Sequence, residues 1–149
     1  MSNLMFQIEN IMQTDVISVK KDTSVYKAME LLRENNITGL PVVDNKMHLV
    51  GIITEKDVVT LLYAVKNEKA KVKEFMTEEV VSFDLNSSMI EICDCFARNH
   101  FRRVPILDDE GRVVGIVSKK DIIAYILEMK KVGGLELALQ NVYHPDKKA

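Results

Sequence analysis

The sequence predicts an α+β fold in which one strand-helix-strand-strand-helix unit occurs twice. Sliding the 149-residue chain against itself by 64 positions aligns residues 11–63 with residues 75–127 without a gap. A repeat of this kind indicates two copies of one supersecondary unit that bury their apolar faces against each other. The identical pairs include Met12/Met76, Ser24/Ser88, Pro41/Pro105, Gly51/Gly115 and Asp57/Asp121.

Two amphipathic helices are predicted in each repeat. The first follows Ser24 or Ser88, which are residue types that favour the N-cap position, and its apolar side chains recur at helical spacing. The second follows the apolar runs LVGIIT and VVGIVS, with the same spacing from Val58 and from Ile122.

Strands are predicted on either side of the first helix. Each repeat opens with a short strand, at Val16–Val19 or Val80–Phe83, and the runs GLPVVD and RVPILD come after the helix. Proline cannot donate a ladder hydrogen bond, so these runs are expected at a strand start or a sheet edge. Turns at 44–46 and 108–111 then lead into LVGIIT and VVGIVS, which gives one hairpin per repeat.

The predicted boundaries place the first unit at residues 8–65 and the second at residues 72–130. Residues 66–71 form a polar linker between them. Residues 1–10 are expected to form a leading helix, and residues 131–149 a C-terminal tail with a short helix. We expect the two units to dock, because neither is large enough to cover its own helices and sheet.

Composition argues against several classes of function. Apolar residues make up 47% of the chain and charged residues 28%, as in ordinary globular proteins, and the formal net charge is −2. A nucleic-acid partner is not expected, because binding to a phosphate backbone needs a basic surface. No apolar run approaches the ~20 residues that cross a bilayer, and the N-terminus lacks a signal-peptide pattern. We therefore expect a cytoplasmic protein without a membrane partner.

The sequences ITGLPVVD…LVGIITEKD and FRRVPILD…VVGIVSKKD resemble two CBS motifs, named after cystathionine β-synthase. The likeness covers about residues 8–130, and the tandem resembles a Bateman module. It implies a pseudo-twofold α+β disc with two ligand clefts between the repeats and a homodimer. It also implies an adenine nucleotide ligand (AMP, ADP or ATP), with S-adenosylmethionine, NAD or cyclic dinucleotides in some branches. It implies regulation of an effector protein rather than catalysis, so we expect neither catalytic residues nor a required cofactor.

A hydroxyl and a carboxylate three residues apart begin each closing helix: Thr54 with Asp57, and Ser118 with Asp121. This pattern is a capping box, which stabilises a helix start without any ligand. The alternative is a nucleotide site, because a preceding glycine allows close approach and a helix N-terminus attracts phosphate. A carboxylate can also accept both hydroxyls of a ribose cis-diol. The two roles are compatible, since the cap uses one carboxylate oxygen.

The resemblance implies an adenine slot against the opening strand and the strand that follows the first helix. In the first repeat the slot residues would be Asp15, Val16, Ile17, Ile37, Thr38 and Pro41. In the second they would be Thr77, Val80, Val81, Phe101 and Pro105. The hydroxyl and the acid of the opposite repeat would complete each slot. The first repeat has Gln13 where the family usually shows the threonine that the second repeat keeps as Thr77.

Arg102 and Arg103 have no basic counterpart in the first repeat. Guanidinium groups bind phosphate through bidentate, charge-assisted hydrogen bonds. At least one arginine would then contact a phosphate, which would make the two clefts unequal. The alternative is that both are solvated or pair with Asp94, Asp108 or Glu110.

Other chemistry has little support in the sequence. Cys93 and Cys95 lack the further ligands that zinc needs, so we expect them to pack in a helix rather than bind metal. We find no nucleophile paired with a base and no Walker-type loop. The sequence favours a non-catalytic adenine-nucleotide sensor. A dimerisation or partner-binding adaptor with empty clefts is the alternative.

Overall fold

The computed structural model describes residues 7–60 and 69–133. The first repeat contains α1 (Val25–Glu34), β1 (Gly39–Val43), β2 (Leu49–Thr54) and α2 (Glu55–Val59). The second contains β3 (Phe83–Asp84), α3 (Met89–Arg98), β4 (Arg103–Leu107), β5 (Val113–Ser118) and α4 (Lys119–Lys131). One sheet pairs β1 with β2, and the other has the order β3-β4-β5. The α+β class with two like repeats is confirmed.

The first helix of each repeat begins at the predicted N-cap. Ser24 Oγ accepts a hydrogen bond from Tyr26 N at 3.2 Å, and Ser88 Oγ accepts one from Glu91 N at 3.2 Å. These bonds satisfy backbone N–H groups that have no partner inside the helix. Each helix then buries one apolar stripe in a core that it shares with the strands of its own repeat.

The opening strands are shorter than predicted. Of Val16–Val19, only Val19 pairs, as a single parallel bridge to Val42 of β1. Of Val80–Phe83, only Phe83 belongs to a strand, β3, which runs parallel to β4. The prediction of two four-residue strands was therefore wrong in length.

Proline explains this shortening. Val19 N donates to Pro41 O at 3.0 Å, and Val43 N donates to Val19 O at 2.9 Å. Extending the parallel ladder toward residue 17 would require an N–H from Pro41, and proline has none. Pro105 occupies the equivalent position in β4 and sets the same limit.

The segment that opens each repeat pairs with a strand of the other repeat. Gln13 N donates to Ile116 O at 2.8 Å, and Ile116 N donates to Gln13 O at 2.9 Å. Thr77 and Ile52 exchange the same two bonds, both at 2.8 Å. Each opening segment thus lies beside the last strand of the opposite repeat, and the two repeats dock as expected.

The two apolar cores are shared in the same way. Ile8 and Ile11 are buried in the core of the second repeat, whereas Ala70 and Val72 are buried in the core of the first. The prediction of a polar linker over residues 66–71 is therefore wrong at Ala70, which is 3% exposed. Residues 66–68 of that linker lie outside the described ranges.

The hairpin turns of the two repeats meet each other. Leu49 N donates to Gly111 O at 3.2 Å, and Val113 N donates to Met47 O at 2.8 Å. Gly111 has φ of 80°, and Met47, its equivalent in the first repeat, has φ of 69°. The first repeat thus places a side chain where the left-handed backbone favours glycine.

Several predicted elements fall partly outside the described residues. Of the predicted leading helix over residues 1–10, residues 8–10 form a single 3-10 turn, and residues 1–6 lie outside the described ranges. The closing helix of the first repeat is described only to Val59, and the tail beyond residue 133 is outside. Within the described part of the chain, no helix combines the length and the apolarity needed to span a membrane.

Candidate functional site

A cavity of about 1150 Å³ lies between the two repeats. The first repeat contributes one side of α1, the loop to β1 and the start of α2. The second contributes the start of β4 and the start of α4. The described lining residues are Tyr26, Met29, Glu30, Leu32, Arg33, Asn36, Ile37, Thr38, Glu55, Val58, Val59, Arg102, Arg103, Ser118, Lys119 and Lys120.

Positive charge dominates the polar part of this lining. Five of the described lining residues are basic and two are acidic, Glu30 and Glu55. Four of the basic residues come from the second repeat, at the starts of β4 and α4. Because α4 is a 13-residue helix, the partial positive charge of its N-terminus adds to theirs. Aliphatic and aromatic side chains from α1 and α2 form the apolar part.

Both predicted capping boxes are confirmed. Thr54 N donates to Asp57 Oδ2 at 2.9 Å, and Asp57 N donates to Thr54 Oγ1 at 3.4 Å. Ser118 N donates to Asp121 Oδ2 at 2.8 Å, and Asp121 N donates to Ser118 Oγ at 3.1 Å. Both carboxylates are half-buried. The cap uses Oδ2 in each case and leaves Oδ1 to other donors.

The second oxygen of each carboxylate meets a side chain from the opposite repeat. Gln13 Nε2 lies 3.1 Å from Asp121 Oδ1, and Thr77 Oγ1 lies 3.3 Å from Asp57 Oδ1. Gln13 and Thr77 are equivalent positions of the two repeats. The fold therefore brings the acid of each repeat to the opening segment of the other.

Arg103 links the Asp121 box to the cavity. Its side chain is half-buried, and its Nε has no hydrogen-bond partner among the described residues. Burial lowers the pKa of Arg103, the nearby charge of Asp121 raises it, and Arg102 lowers it. The site thus holds a guanidinium that is only partly compensated, beside one carboxylate and open to the cavity. Such a group favours an anionic ligand.

The acids proposed as alternative partners for the two arginines are engaged elsewhere. Asp94 Oδ1 accepts from Arg98 Nε at 2.9 Å. Asp108 Oδ2 accepts from Arg112 Nε at 2.8 Å, and Glu110 lies 3.2 Å from a further nitrogen of Arg112. Pairing with these three acids is therefore not what positions Arg102 and Arg103, and both arginines line the cavity.

The predicted site residues fall into three groups. Ile37, Thr38, Arg102, Arg103 and Ser118 line the cavity. In the second group, Asp121 is bonded to Ser118, and Asp57 is bonded to Thr54 and Thr77. Asp121, Asp57, Thr54 and Thr77 are themselves absent from the described lining, and Asp121 is joined to it through Ser118. The remaining positions are absent from the described lining of this cavity: the exposed Asp15, Val81 and Phe101, the half-buried Val16, Ile17 and Val80, and the buried Pro41 and Pro105.

Sequence reasoning missed several residues of the site. Lys119 and Lys120 line the cavity, and their place just after the Ser118 N-cap was the available signal. Lys119 Nζ also lies 5.9 Å from the centre of the Phe96 ring. For the α1 residues the sequence predicts only an amphipathic helix. Their cavity face follows from how the repeats dock, which the sequence does not show.

The glycines before the two boxes have a different role from the one predicted. A Cβ on Gly51 would lie 3.0 Å from Met76 Sδ and from Thr77 O. A Cβ on Gly115 would lie 2.5 Å from Met12 Sδ. What approaches these glycines so closely is the opening segment of the opposite repeat. The expectation that they admit a ligand is therefore corrected.

The two cysteines of α3 do not belong to a metal-ligand cluster among the described residues. Cys93 and Cys95 are half-buried free thiols, and burial raises the pKa of Cys93. In the portion of the chain that the structure describes, no three His, Cys, Asp or Glu side chains cluster as ligands for a metal ion.

Comparison with known proteins gives the family. The model for the CBS domain matches residues 8–64 and residues 72–128. Inosine-5'-monophosphate dehydrogenase of Methanocaldococcus jannaschii is 38% identical over 115 residues, which is 77% of this chain and 22% of that protein. The chain therefore spans less than a quarter of that enzyme.

Two solved structures have the same fold. CBSX2, a CBS-pair protein from Arabidopsis thaliana, has been solved in complex with AMP; it is 27% identical, with a TM-score of 0.76, over 84% of this chain and 98% of that one. The CBS domain pair of protein MJ0100 has been solved with 5'-methylthioadenosine and S-adenosyl-L-methionine. It is 30% identical, with a TM-score of 0.69, over 79% of this chain and 97% of that one. Two matched motifs, docked as a pair, place this chain in the CBS-domain family.

Proposed function

We propose that this chain is a non-catalytic sensor module that binds AMP, ADP or ATP between its repeats and reports the bound nucleotide to an effector protein. The observation that carries the proposal is the cavity to which both repeats contribute. It sets basic residues of the second repeat against an apolar wall of the first, beside the Asp121 box.

Each part of a nucleotide has a matching part of this site. Met29, Ile37 and Val58 offer an apolar surface for a base. Asp121 is a carboxylate whose oxygens can accept the hydroxyls of a ribose. Arg102 and Arg103 can donate to phosphate oxygens. The cavity volume of about 1150 Å³ lies just above the range of roughly 300–1,000 Å³ that is common for small-molecule sites.

Charge favours a nucleotide over other adenosyl ligands. Of the two complexes described above, one contains a phosphate-bearing ligand, AMP, and the other contains S-adenosylmethionine and its thioether relative, which have no phosphate. With five basic and two acidic residues in the described lining, the site would attract anions and disfavour a sulfonium cation. A cyclic dinucleotide also carries phosphate and is the nearest competitor.

The direct test is a calorimetric titration of the purified protein after removal of any co-purified ligand. The titrants are AMP, ADP, ATP, S-adenosylmethionine and a cyclic dinucleotide. We expect saturable heat with at least one adenine mononucleotide and weaker binding of S-adenosylmethionine. Flat traces with all five would reject the sensor proposal and leave the adaptor with empty clefts.

We also propose a homodimer. Ile123 and Leu127 lie one turn apart on α4 and are 57% and 55% exposed, which is unusual for two neighbouring large apolar side chains. Replacing both with aspartate should convert a dimer into a monomer, because charge would enter the buried face. Sedimentation velocity measures this, with Ala124→Asp on the same helix as a matched control. A wild-type protein that stays monomeric at high concentration, with and without AMP, would contradict the dimer.

A further inference from the structure

We propose that Gln13 is a positioning residue that holds the Asp121 carboxylate for a ribose. The inference rests on the proposed function, because it assigns a role beside the same cleft, where Asp121 is bonded to the lining residue Ser118. Gln13 belongs to the first repeat, and Asp121 belongs to the second, 108 positions further along the chain. Nε2 of Gln13 lies 3.1 Å from Oδ1 of Asp121.

The backbone delivers the Gln13 side chain to a fixed place. Two hydrogen bonds with Ile116, at 2.8 and 2.9 Å, clamp residue 13 against β5 two positions before the Ser118 cap. Gly115 allows this segment to lie flat on the strand, since any Cβ there would collide with Met12. The side chain therefore extends from an anchored backbone rather than from a free loop.

Gln13 and the cap together fix both oxygens of Asp121. Oδ2 accepts from Ser118 N at 2.8 Å, while Oδ1 accepts from the Gln13 amide. A carboxylate with a hydrogen bond to each of its oxygens cannot rotate freely about χ2. Each oxygen still has a further lone pair, so two hydroxyls of a cis-diol can be accepted at the same time. Gln13 thus reduces the entropy that the Asp121 side chain loses when a ribose binds. It leaves free the lone pairs that would accept the two ribose hydroxyls.

The second repeat builds the same contact with different chemistry. Thr77 stands at the equivalent position, exchanges the same two backbone bonds with Ile52, and reaches Asp57 Oδ1 at 3.3 Å. The recurrence of the contact with an unlike side chain indicates that this position serves the acid of the opposite repeat. It also predicts that threonine can stand in for Gln13.

The test is a set of binding isotherms made in the Asp57→Asn background, so that Asp121 is the only intact acid of the pair. The variants are Gln13→Ala, Gln13→Thr, Asp121→Asn and the double variant Gln13→Ala with Asp121→Asn. Thr14→Ala, an exposed neighbour, is the control. The ligands are AMP and 2',3'-dideoxy-AMP, and thermal unfolding of each variant checks that it is folded.

Gln13→Ala should weaken AMP binding by about three- to tenfold, because Gln13 acts on the ribose only by ordering the Asp121 side chain. Gln13→Thr should recover most of that loss, and Thr14→Ala should show none. The dideoxy ligand should bind Gln13→Ala and the background protein alike. Once Asp121 is asparagine, adding Gln13→Ala should cost nothing further.

Three results would overturn the positioning role: equal losses for AMP and the dideoxy ligand, additive losses in the double variant, or no loss in Gln13→Ala. In each of these cases, binding of AMP to the wild-type protein leaves the proposed function standing. A wild-type protein that binds no nucleotide rejects the proposed function and this inference together.

Discussion

Replacing both Asp57 and Asp121 with asparagine is expected to weaken the binding of AMP by about a hundredfold. Each carboxylate would lose its charge and one acceptor oxygen, and a hydrogen bond to a charged group contributes about 1.5–3 kcal/mol. The loss of one such bond from each ribose, in the upper part of that range, accounts for the expected change. Because an asparagine oxygen can still accept from the Thr54 or Ser118 amide, both helix starts should survive. Calorimetry gives the affinity, and thermal unfolding tests the fold.

A matched control replaces two aspartates that take no part in the capping boxes. Asp94 and Asp109 are exposed and belong to neither capping box, so Asp94→Asn with Asp109→Asn should bind AMP as the wild type does. Unchanged affinity in the variant of Asp57 and Asp121 would remove these acids from nucleotide recognition. They would then be helix caps only.

Changing both Arg102 and Arg103 to glutamine should reduce the affinity for AMP by at least tenfold and leave the affinity for adenosine unchanged. The two arginines can donate charge-assisted hydrogen bonds to phosphate, and adenosine has no phosphate. The affinity of the wild type for AMP should also fall more steeply with added salt than that of the variant. Paired titrations with AMP and adenosine, at two salt concentrations, measure both effects.

The control for overall charge is Lys73→Gln with Arg98→Gln. Both residues are exposed and outside the described lining. The control therefore removes two positive charges, as many as the variant of Arg102 and Arg103 removes. This variant should bind AMP normally. An equal loss for AMP and adenosine in the arginine variant would show that the arginines support the fold of the cleft rather than bind phosphate.

Local features of the fold could be predicted from the sequence because they depend on neighbouring residues. The N-caps at Ser24 and Ser88 and both boxes join residues two or three positions apart. The hairpin turns likewise follow from residue type and spacing. The repeat then predicted that each local feature would occur twice.

Features that depend on docking could not be predicted. The bond between Gln13 and Asp121 spans 108 positions, and the pairing of Gln13 with Ile116 decides which residues meet. The same pairing explains why Gly115 faces protein rather than ligand. The opening strands are a different case. The missing N–H of Pro41 and Pro105 was visible in the sequence, but its effect depended on a parallel register that only the structure shows.

A crystal structure of the protein with bound AMP tests directly whether the cavity between the repeats is the nucleotide site. We expect density in the cavity between the repeats, with ribose hydroxyls within hydrogen-bond distance of Asp121 and phosphate oxygens beside Arg102 or Arg103. Density for AMP only at a different surface would contradict this expectation, as would an occupied cavity in which Asp121 contacts nothing but its own cap and Gln13.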